Sequence, residues 1–432
     1  MNKYVDGLMD FIDNSPSVYH VNKNIKKRLE ENGFKELLRS ERWKLKSDGK
    51  YFISNGDSAI IAFTVNDLKK FTHFNIIGSH SDSPTFRIKP NPIMIEKDKY
   101  IKLNTEVYGG PILSTWFDRS LSIAGRVSVV ENKKIISKLV DFEKPITTIP
   151  NLAIHMNREI NKGYTYNAQK DTLPILGMLS SNLEKDELLI SLISEKLNIK
   201  KEDILDFDLF LYDTEKGKYI GIDEEFYSIG RIDNLGMAYS SIEALISSKS
   251  KSGINVVLVS NHEEIGSMTK EGADSPFLRD VLQRIVYTTG GDFEDFDIAI
   301  DKSFMISADQ AHALHPNYVE KNDPTNFPII NEGPCIKMAA RMSYTSDSVS
   351  ASFINKLSRD IDVPVQYFVN RSDMPGGSTI GPINSSHLNI KSIDMGCPIL
   401  GMHSVRELGG TKDQEYIHLL FEKFFKDIAM TK

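Results

Sequence analysis

The pattern that most constrains the fold is an alternation of apolar strands and amphipathic helices, which stops in the middle of the chain and then resumes. An apolar run at Phe74–Gly78 precedes the interruption, and a β-branched run at Asn255–Ser260 follows it. Helical spacing of apolar residues at Asn234–Ser248 and Asp413–Ile428 alternates with such strands. This order predicts an α/β fold, with a mixed sheet covered by helices on both faces.

The interrupting segment, residues 89–223, has a different sequence pattern. Short β-prone runs such as Ser122–Val130 and Lys134–Val140 are separated by proline, glycine and charged turns, with a charged helix candidate at Lys185–Leu197. A chain of 432 residues is long enough for two or three domains. We therefore predict a main domain formed by residues 1–88 and 224–432, with a mainly β domain inserted at residues 89–223.

Composition and short motifs exclude several classes of protein. The 52 basic and 59 acidic side chains give a net charge of −7, which does not provide the basic field that nucleic acids require. No run of 18 apolar residues predicts a membrane span, and two cysteines outside any C-x-x-C pair indicate a reducing, cytoplasmic location. Neither a G-x-G-x-x-G or P-loop motif nor a G-x-S-x-G motif occurs, which argues against nucleotide cofactors and a serine nucleophile.

Carboxylates and imidazoles follow the predicted strands or precede the next helix. These positions are His80, Asp82, Asp233, His262, Glu263, Glu264, Asp309, Asp373 and His403. Ligands of open α/β sheets bind beyond the carboxyl ends of the strands, so we expect these side chains to converge on one edge. Histidines and carboxylates without a thiolate suit zinc, manganese or cobalt.

This set contains enough side chains to bind two metal ions, which need a bridging carboxylate and terminal ligands on each side. The candidate ligands are His80, Asp233, Glu264, Asp309 and His403. Asp82 lies two residues after His80, on the same side of an extended backbone, and can orient its imidazole ring. Of the adjacent Glu263 and Glu264, one can ligate while the other stays free as a general base.

Each of these residues has a simpler structural interpretation. Asp233 could cap its helix, and the two glutamates could form a solvated face. Asp309 and His403 could each be satisfied polar residues. His312 and His315, three residues apart on a possible helix, are alternative ligands that spacing does not exclude.

Two further features remain open on sequence grounds alone. The turn at Met374–Thr379 could bring the backbone N–H groups of Gly376 and Gly377 close to a ligand, or it could be an ordinary tight turn. His155 is a lone histidine after an apolar run, which favours a position in the core.

At these residues the chain resembles the aspartyl aminopeptidase family of co-catalytic zinc peptidases. The stretches that carry the resemblance are GSHSDSPTFRIKP (Gly78–Pro90), VYGGPILSTWFDRSLSIAGRV (Val107–Val127), IPNLAIHMNREIN (Ile149–Asn161), GRIDNL (Gly230–Leu235), NHEEIGS (Asn261–Ser267), SADQAHALHPNY (Ser307–Tyr318) and GMHSVREL (Gly401–Leu408). They occur in order along nearly the whole chain. One departure is His262, where the family more often has asparagine.

The resemblance implies a zinc aminopeptidase with two ions in each subunit, with cobalt or manganese as alternative ions. One ion would be held by His80, Asp233 and Asp309, and the other by Asp233, Glu264 and His403, so that Asp233 bridges them. Asp82 would orient His80. Glu263 would deprotonate the water that attacks the first peptide carbonyl and would then protonate the leaving amine.

The family also implies an assembly and a specificity. Its inserted domain builds a subunit contact, and its protomers form a tetrahedral dodecamer from dimers. His155 would then reach a neighbouring active site and stabilise the oxyanion. Lys337 matches a family lysine near the pocket for the first side chain, where a cation pairs with an acidic N-terminal residue. A solvated lysine is the simpler interpretation of Lys337, and some family members prefer neutral residues.

Two alternatives to an aminopeptidase follow from the same residues. A metal-dependent deacylase or carboxypeptidase of the same superfamily would need a cation for the substrate carboxylate. A peptide-binding shell that has lost its chemistry need not retain Glu263 or a full ligand set, so their presence argues against it. In each case the predicted partners are peptides and further copies of the chain, with no nucleic acid or membrane partner.

Overall fold

The computed structural model describes residues 2–68, 71–179, 187–249 and 253–426. The α-helices in these ranges are α1 (Lys3–Asp13), α2 (Val18–Glu31), α3 (Leu188–Leu197), α4 (Ile232–Ser247), α5 (Phe277–Thr288), α6 (Phe293–Asp301), α7 (Ser348–Arg359), α8 (Ile380–Leu388) and α9 (Thr411–Lys426). Within the described ranges, none of the helices combines the length and the apolar character needed to span a membrane. The cytoplasmic location stays a prediction.

Within the same described ranges, the strands form three sheets. In chain order they are β1 (Lys35–Glu36), β2 (Lys50–Asn55), β3 (Ala59–Val65), β4 (Phe74–His80), β5 (Thr85–Glu96), β6 (Tyr100–Tyr108), β7 (Leu121–Glu131), β8 (Lys134–Asp141), β9 (Ile175–Met178), β10 (Ile204–Asp213), β11 (Lys218–Ile220), β12 (Phe226–Ile229), β13 (Ile254–Ser260), β14 (Phe304–Ala308), β15 (Ala311–His312), β16 (Cys335–Met338), β17 (Gln366–Val369), β18 (Lys391–Gly396), β19 (Pro398–Leu400) and β20 (Glu407–Gly410).

The largest sheet has nine strands in the order β1-β2-β3-β13-β4-β14-β18-β16-β17. Strand β4 is parallel to both of its neighbours, β13 and β14, whereas β3 is antiparallel to β13. The sheet is therefore mixed. Because β4, β13 and β14 run in the same direction, their carboxyl ends lie at the same edge.

Helices cover both faces of this sheet because successive side chains of a strand point to opposite sides. Ile60 and Ala62 of β3 belong to a buried core that includes side chains of α1, α2, α4, α7 and α9. Ile61 and Phe63 of the same strand belong to a second core with α5 and α6. The α/β class, with a mixed sheet between two helical layers, is confirmed.

A six-stranded antiparallel sheet occupies the middle of the chain, in the order β8-β7-β10-β5-β6-β9. It runs from Thr85 to Asp213 and has its own apolar core, which includes Phe86, Ile123 and Leu209. The mainly β character predicted for this segment is thus observed, while the domain boundaries at residues 89 and 223 stay a prediction. A third sheet has the strand order β11-β12-β20-β19-β15, and α4 follows its strand β12 in the chain.

Several local predictions differ from the structure. Apolar residues at helical spacing, such as Ile25, Leu29 and Phe34, predict a mostly helical segment from Met1 to about Lys46. In the structure α2 ends at Glu31, because Gly33 adopts a left-handed φ of +81° that terminates the helix, and β1 follows. His312 does not lie on a helix: Ala311 and His312 pair with Pro398 and Ile399, and this pairing outweighs the local pattern. Helix α3 begins at Leu188, and Lys185 and Ile428, at the ends of two predicted helices, lie outside the described residues.

Candidate metal centre

The candidate ligands converge because of strand register. Ser260 of β13 pairs with His80 of β4, and Ser307 of β14 pairs with Gly78. His80, the Glu263–Glu264 turn after β13 and Asp309 after β14 therefore emerge at the same edge of the sheet. Asp233 enters from the first turn of α4, and His403 from the connection between β19 and β20.

Among the described residues, two groups of side chains have donor atoms close enough to share a metal ion. One consists of His80, Asp233 and Asp309, and the other of Asp233, Glu264 and His403, with the donor atoms of each group within 4.8 Å of one another. The two carboxylate oxygens of Asp233 face different histidines. Its Oδ1 lies 3.7 Å from Nε2 of His80, and its Oδ2 lies 3.4 Å from Nε2 of His403.

The chemistry of these groups fits divalent cations. Asp233 Oδ1 and Glu264 Oε1 are buried without a hydrogen-bond partner, which is unfavourable for a carboxylate unless a cation binds there. Burial and the nearby Asp233 raise the pKa of Glu264 to about 9, and burial raises that of Glu263 to about 7. Nitrogen and oxygen donors without thiolates form the ligand set of a catalytic zinc site.

Asp82 connects the two halves of the centre. Its main-chain oxygen lies 3.1 Å from Nδ1 of His80 and its carboxylate 3.4 Å from the same atom, so Nε2 faces the other ligands. The carboxylate also accepts the backbone N–H groups of Glu263 and Glu264, each at 3.1 Å. Burial would raise the pKa of Asp82, but the hydrogen bond with His80 and the charge of that ring hold it below its usual range.

Glu263 lies beside the donor groups without belonging to either of them. Its Oε2 is 3.9 Å from Nε2 of His80, and its side chain is 17% exposed, whereas the side chain of Glu264 is 5% exposed. The two adjacent glutamates therefore differ in position as well as in partners. The more accessible one can reach a water molecule at the centre.

Sequence reasoning did not single out two residues that support the ligands. The buried carboxylate of Glu407 accepts the backbone N–H of Asp233 at 3.0 Å and that of His403 at 2.8 Å. The hydroxyl of Tyr108 donates to Asp82 at 2.8 Å. Both lie within stretches that carry the family resemblance, but neither spacing nor composition marks them, because they act on segments distant in the chain.

Known proteins with similar sequences distinguish the aminopeptidase from the deacylase or carboxypeptidase and from the inactive peptide-binding shell. A family model described as aminopeptidase I zinc metalloprotease (M18) matches residues 11–425. The chain belongs to this family. It is a zinc aminopeptidase and hence a hydrolase, which favours peptide cleavage at a free N-terminus over the deacylase and the inactive shell.

Several relatives of this M18 aminopeptidase cover almost the whole chain. A probable M18 family aminopeptidase 2 of Clostridium novyi is 52% identical, over 98% of each chain. A chain in a structure of the Ape4 and Nbr1 complex superposes with a TM-score of 0.93 and is 38% identical, and the match covers 98% of this chain and 85% of that chain. A yeast mApe1 dodecamer has a TM-score of 0.85 and 26% identity, covering 98% and 96% of the two chains.

Lys337 of the aminopeptidase is not a solvated lysine. It lies on β16 with its side chain only 3% exposed, and its Nζ is 2.7 Å from Oδ2 of Asp309. The ammonium group also lies 5.4 Å from the centre of the Tyr344 ring. Burial would raise the pKa of Asp309, but the positive charge of Lys337 holds it well below its usual range.

The other predicted site residues of the aminopeptidase lie outside the two donor groups. Gly376 and Gly377 lie in an exposed segment without regular secondary structure, where a Cβ on Gly376 would meet Asn370 at 2.1 Å, while the space around Gly377 is open. His155 is exposed, so the expectation of a core position was wrong. His312 and His315, the alternative ligands, belong to neither donor group.

Proposed function

We propose that the aminopeptidase binds two zinc ions, one at His80, Asp233 and Asp309 and the other at Asp233, Glu264 and His403. The observation that carries this proposal is the arrangement of Asp233, whose two carboxylate oxygens face the histidines of the two groups. A bridging carboxylate between two terminal ligand sets is the requirement of a two-metal hydrolytic site. Cobalt and manganese are alternative ions for the same donors.

We further propose that Glu263 is the general base and Asp82 the residue that orients His80. Zinc held by these two groups would supply polarisation of the scissile carbonyl and a lowered pKa of water. The carboxylate of Glu263 then accepts a proton from the attacking water and donates it to the leaving amine, so that one group serves both halves of the reaction. Asp82 keeps Nδ1 of His80 protonated and the ring in place.

For substrate preference, we propose that Lys337 recognises an acidic first side chain. The ammonium group has three donors and uses one on Asp309, so that further donors remain for a substrate carboxylate. The ammonium group of Lys337 lies 5.4 Å from the centre of the Tyr344 ring, the Tyr344 side chain interacts with Asn370, and Gly376 packs against Asn370. We therefore assign Gly376 and Gly377 to the substrate side of the centre.

The test compares peptides that differ only in their first residue. With zinc, cobalt or manganese restored after chelation, we expect release of the first residue from Asp- and Glu-peptides in preference to Leu-peptides, and none from N-acetyl-Asp-peptide. Replacement of Lys337 by methionine should lower the ratio of kcat/KM for Asp- over Leu-peptide by about tenfold or more, since hydrogen bonds to charged groups contribute about 1.5–3 kcal/mol.

Comparing the two substrates within each variant removes any general loss of activity caused by the contact of Lys337 with Asp309. The control is Lys302→Met, an exposed lysine before β14, at the opposite end of that strand from Asp309. An unchanged Asp-to-Leu ratio in the Lys337 variant would make this lysine a positioning group for Asp309 alone. Absence of turnover with every free-amine peptide and every metal would contradict the two-zinc mechanism itself.

We also propose that the inserted sheet forms the subunit contact of a dodecamer assembled from dimers in tetrahedral arrangement. The proposal draws on the related mApe1 dodecamer and on the exposed turn that carries His155. The apolar side chains of Leu152, Ile154 and Met156 in this turn are exposed as well, which is unfavourable in an isolated subunit. In the assembly, His155 would enter a neighbouring active site and stabilise the oxyanion.

Subunit mixing tests this contact. His155→Ala and Glu263→Gln should each lose most peptide turnover, because each lacks one group of the composite site. When the two are co-expressed, a Glu263→Gln subunit can supply His155 to a His155→Ala neighbour that retains Glu263, so activity should return. No recovery in mixed particles, or a monomeric mass for the wild type, would count against the shared site.

A further inference from the structure

The segment Tyr108–Ile112 leads out of strand β6 of the six-stranded sheet and runs past the metal centre. Three of its hydrogen bonds reach residues of the centre. The Tyr108 hydroxyl donates to Oδ2 of Asp82, the Gly110 carbonyl accepts from Nδ1 of His403 at 3.1 Å, and the Ile112 N–H donates to the His403 carbonyl at 2.9 Å. The hydrogen bond between Gly110 and His403 joins two residues that lie 293 positions apart in the chain.

Gly109 is required at this position for two reasons. Its φ of +70° lies in the left-handed region that favours glycine. A Cβ added there would lie 3.2 Å from Cβ of Glu264 and 3.4 Å from Cα of Pro84. A side chain at residue 109 would therefore press on Glu264.

The contacts of this segment involve the donor group that contains Glu264 and His403 rather than the group that contains His80 and Asp309. Glu264 and His403 both belong to the group that also includes Asp233. The side chain of His403 is 31% exposed, against 2% for His80, so packing restrains its ring less. The Gly110 carbonyl supplies that restraint, because accepting the Nδ1 proton leaves Nε2 free to face Asp233 and Glu264.

Tyr108 also acts on the donor group that contains Glu264 and His403. The Asp82 oxygen that accepts its hydroxyl also accepts the backbone N–H of Glu264. The hydroxyl therefore helps to hold the carboxylate that fixes the Glu264 backbone. Of the three hydrogen bonds made by the segment, two reach His403 directly, and the third reaches the Asp82 oxygen that holds the Glu264 backbone.

We infer that Tyr108, Gly109 and Gly110 are positioning residues for the zinc site formed by Asp233, Glu264 and His403. This inference rests on the proposed two-ion centre. A disturbance of the segment weakens that site first and leaves the site of His80, Asp233 and Asp309 able to bind. Part of the six-stranded sheet thereby determines whether the centre holds one ion or two.

The test is a zinc titration of metal-free protein against a competing chelator. For the wild type we expect two bound ions. Gly109→Ala should weaken one of the two sites by about 10–100-fold, the usual effect of changing a group that orients a metal ligand, and should leave the other site unchanged. The matched control is Gly33→Ala, whose φ of +81° imposes a similar backbone strain but whose added Cβ meets nothing within 4 Å.

A second pair of variants retains the backbone in case Gly109→Ala does not fold. Tyr108→Phe removes only the hydroxyl that donates to Asp82 and should weaken the same single site. Its control is Tyr212→Phe, which removes a hydroxyl that donates to Asp141 within the six-stranded sheet. Unchanged affinities in the folded variants, or an equal loss at both sites, would overturn the inference. A wild type that binds one ion would instead contradict the two-ion proposal.

Discussion

Asp233→Asn is expected to lose tight binding of at least one zinc ion and to lower kcat/KM for peptides by on the order of 10³-fold. Asparagine has the same shape, but one of its two terminal atoms is an amide nitrogen that cannot ligate. The two carboxylate oxygens of Asp233 lie 3.7 Å from Nε2 of His80 and 3.4 Å from Nε2 of His403. In the variant, only one of these two positions would carry an oxygen that can bind a metal ion. A metal ion contributes several kcal/mol to stabilisation of the transition state, which corresponds to a loss of this size.

The measurement pairs metal content after dialysis with peptide turnover. The control is Asp413→Asn, because Asp413 is also a buried aspartate that accepts backbone N–H groups, those of Asn331 at 2.6 Å and Gly333 at 2.9 Å. It belongs to neither donor group, so this variant should retain both ions and most of the activity. If Asp233→Asn retained two tightly bound ions, Asp233 would not be the bridge.

The candidate ligands could be predicted from the sequence because a simple rule connects them. His80, Glu264 and Asp309 each follow a strand, and parallel neighbouring strands deliver their ends to one edge. Asp233 and His403 come from other elements, and their bridging and terminal roles came from the family resemblance. The geometry brings all five side chains into the two donor groups.

The supporting residues could not be predicted in this way. Glu407 lies 174 residues from Asp233, and Gly110 lies 293 residues from His403. Their roles depend on which backbone N–H or carbonyl group comes within hydrogen-bond distance, and this is decided by tertiary packing. Local pattern also failed at His312, where pairing of β15 with β19 replaced an expected helix.

The adjacent glutamates provide the sharpest test of the mechanism. Glu263→Gln should lower kcat by about 10²–10⁴-fold, the usual contribution of a general base, while the protein retains both zinc ions. Glutamine has the shape of glutamate but cannot accept the proton of the attacking water. Metal binding should persist because Glu263 belongs to neither donor group.

Glu264→Gln is the matched control, since it places the same change one residue further along the same turn. Glu264 Oε1 lies 3.5 Å from Nε2 of His403 and has no hydrogen-bond partner, so its replacement should remove one ion. Metal content thus separates two variants that both lose turnover. Loss of metal from Glu263→Gln would make Glu263 a ligand, and wild-type turnover by that variant would require another base. Retained zinc with lost turnover would assign proton transfer to Glu263 and ligation to Glu264.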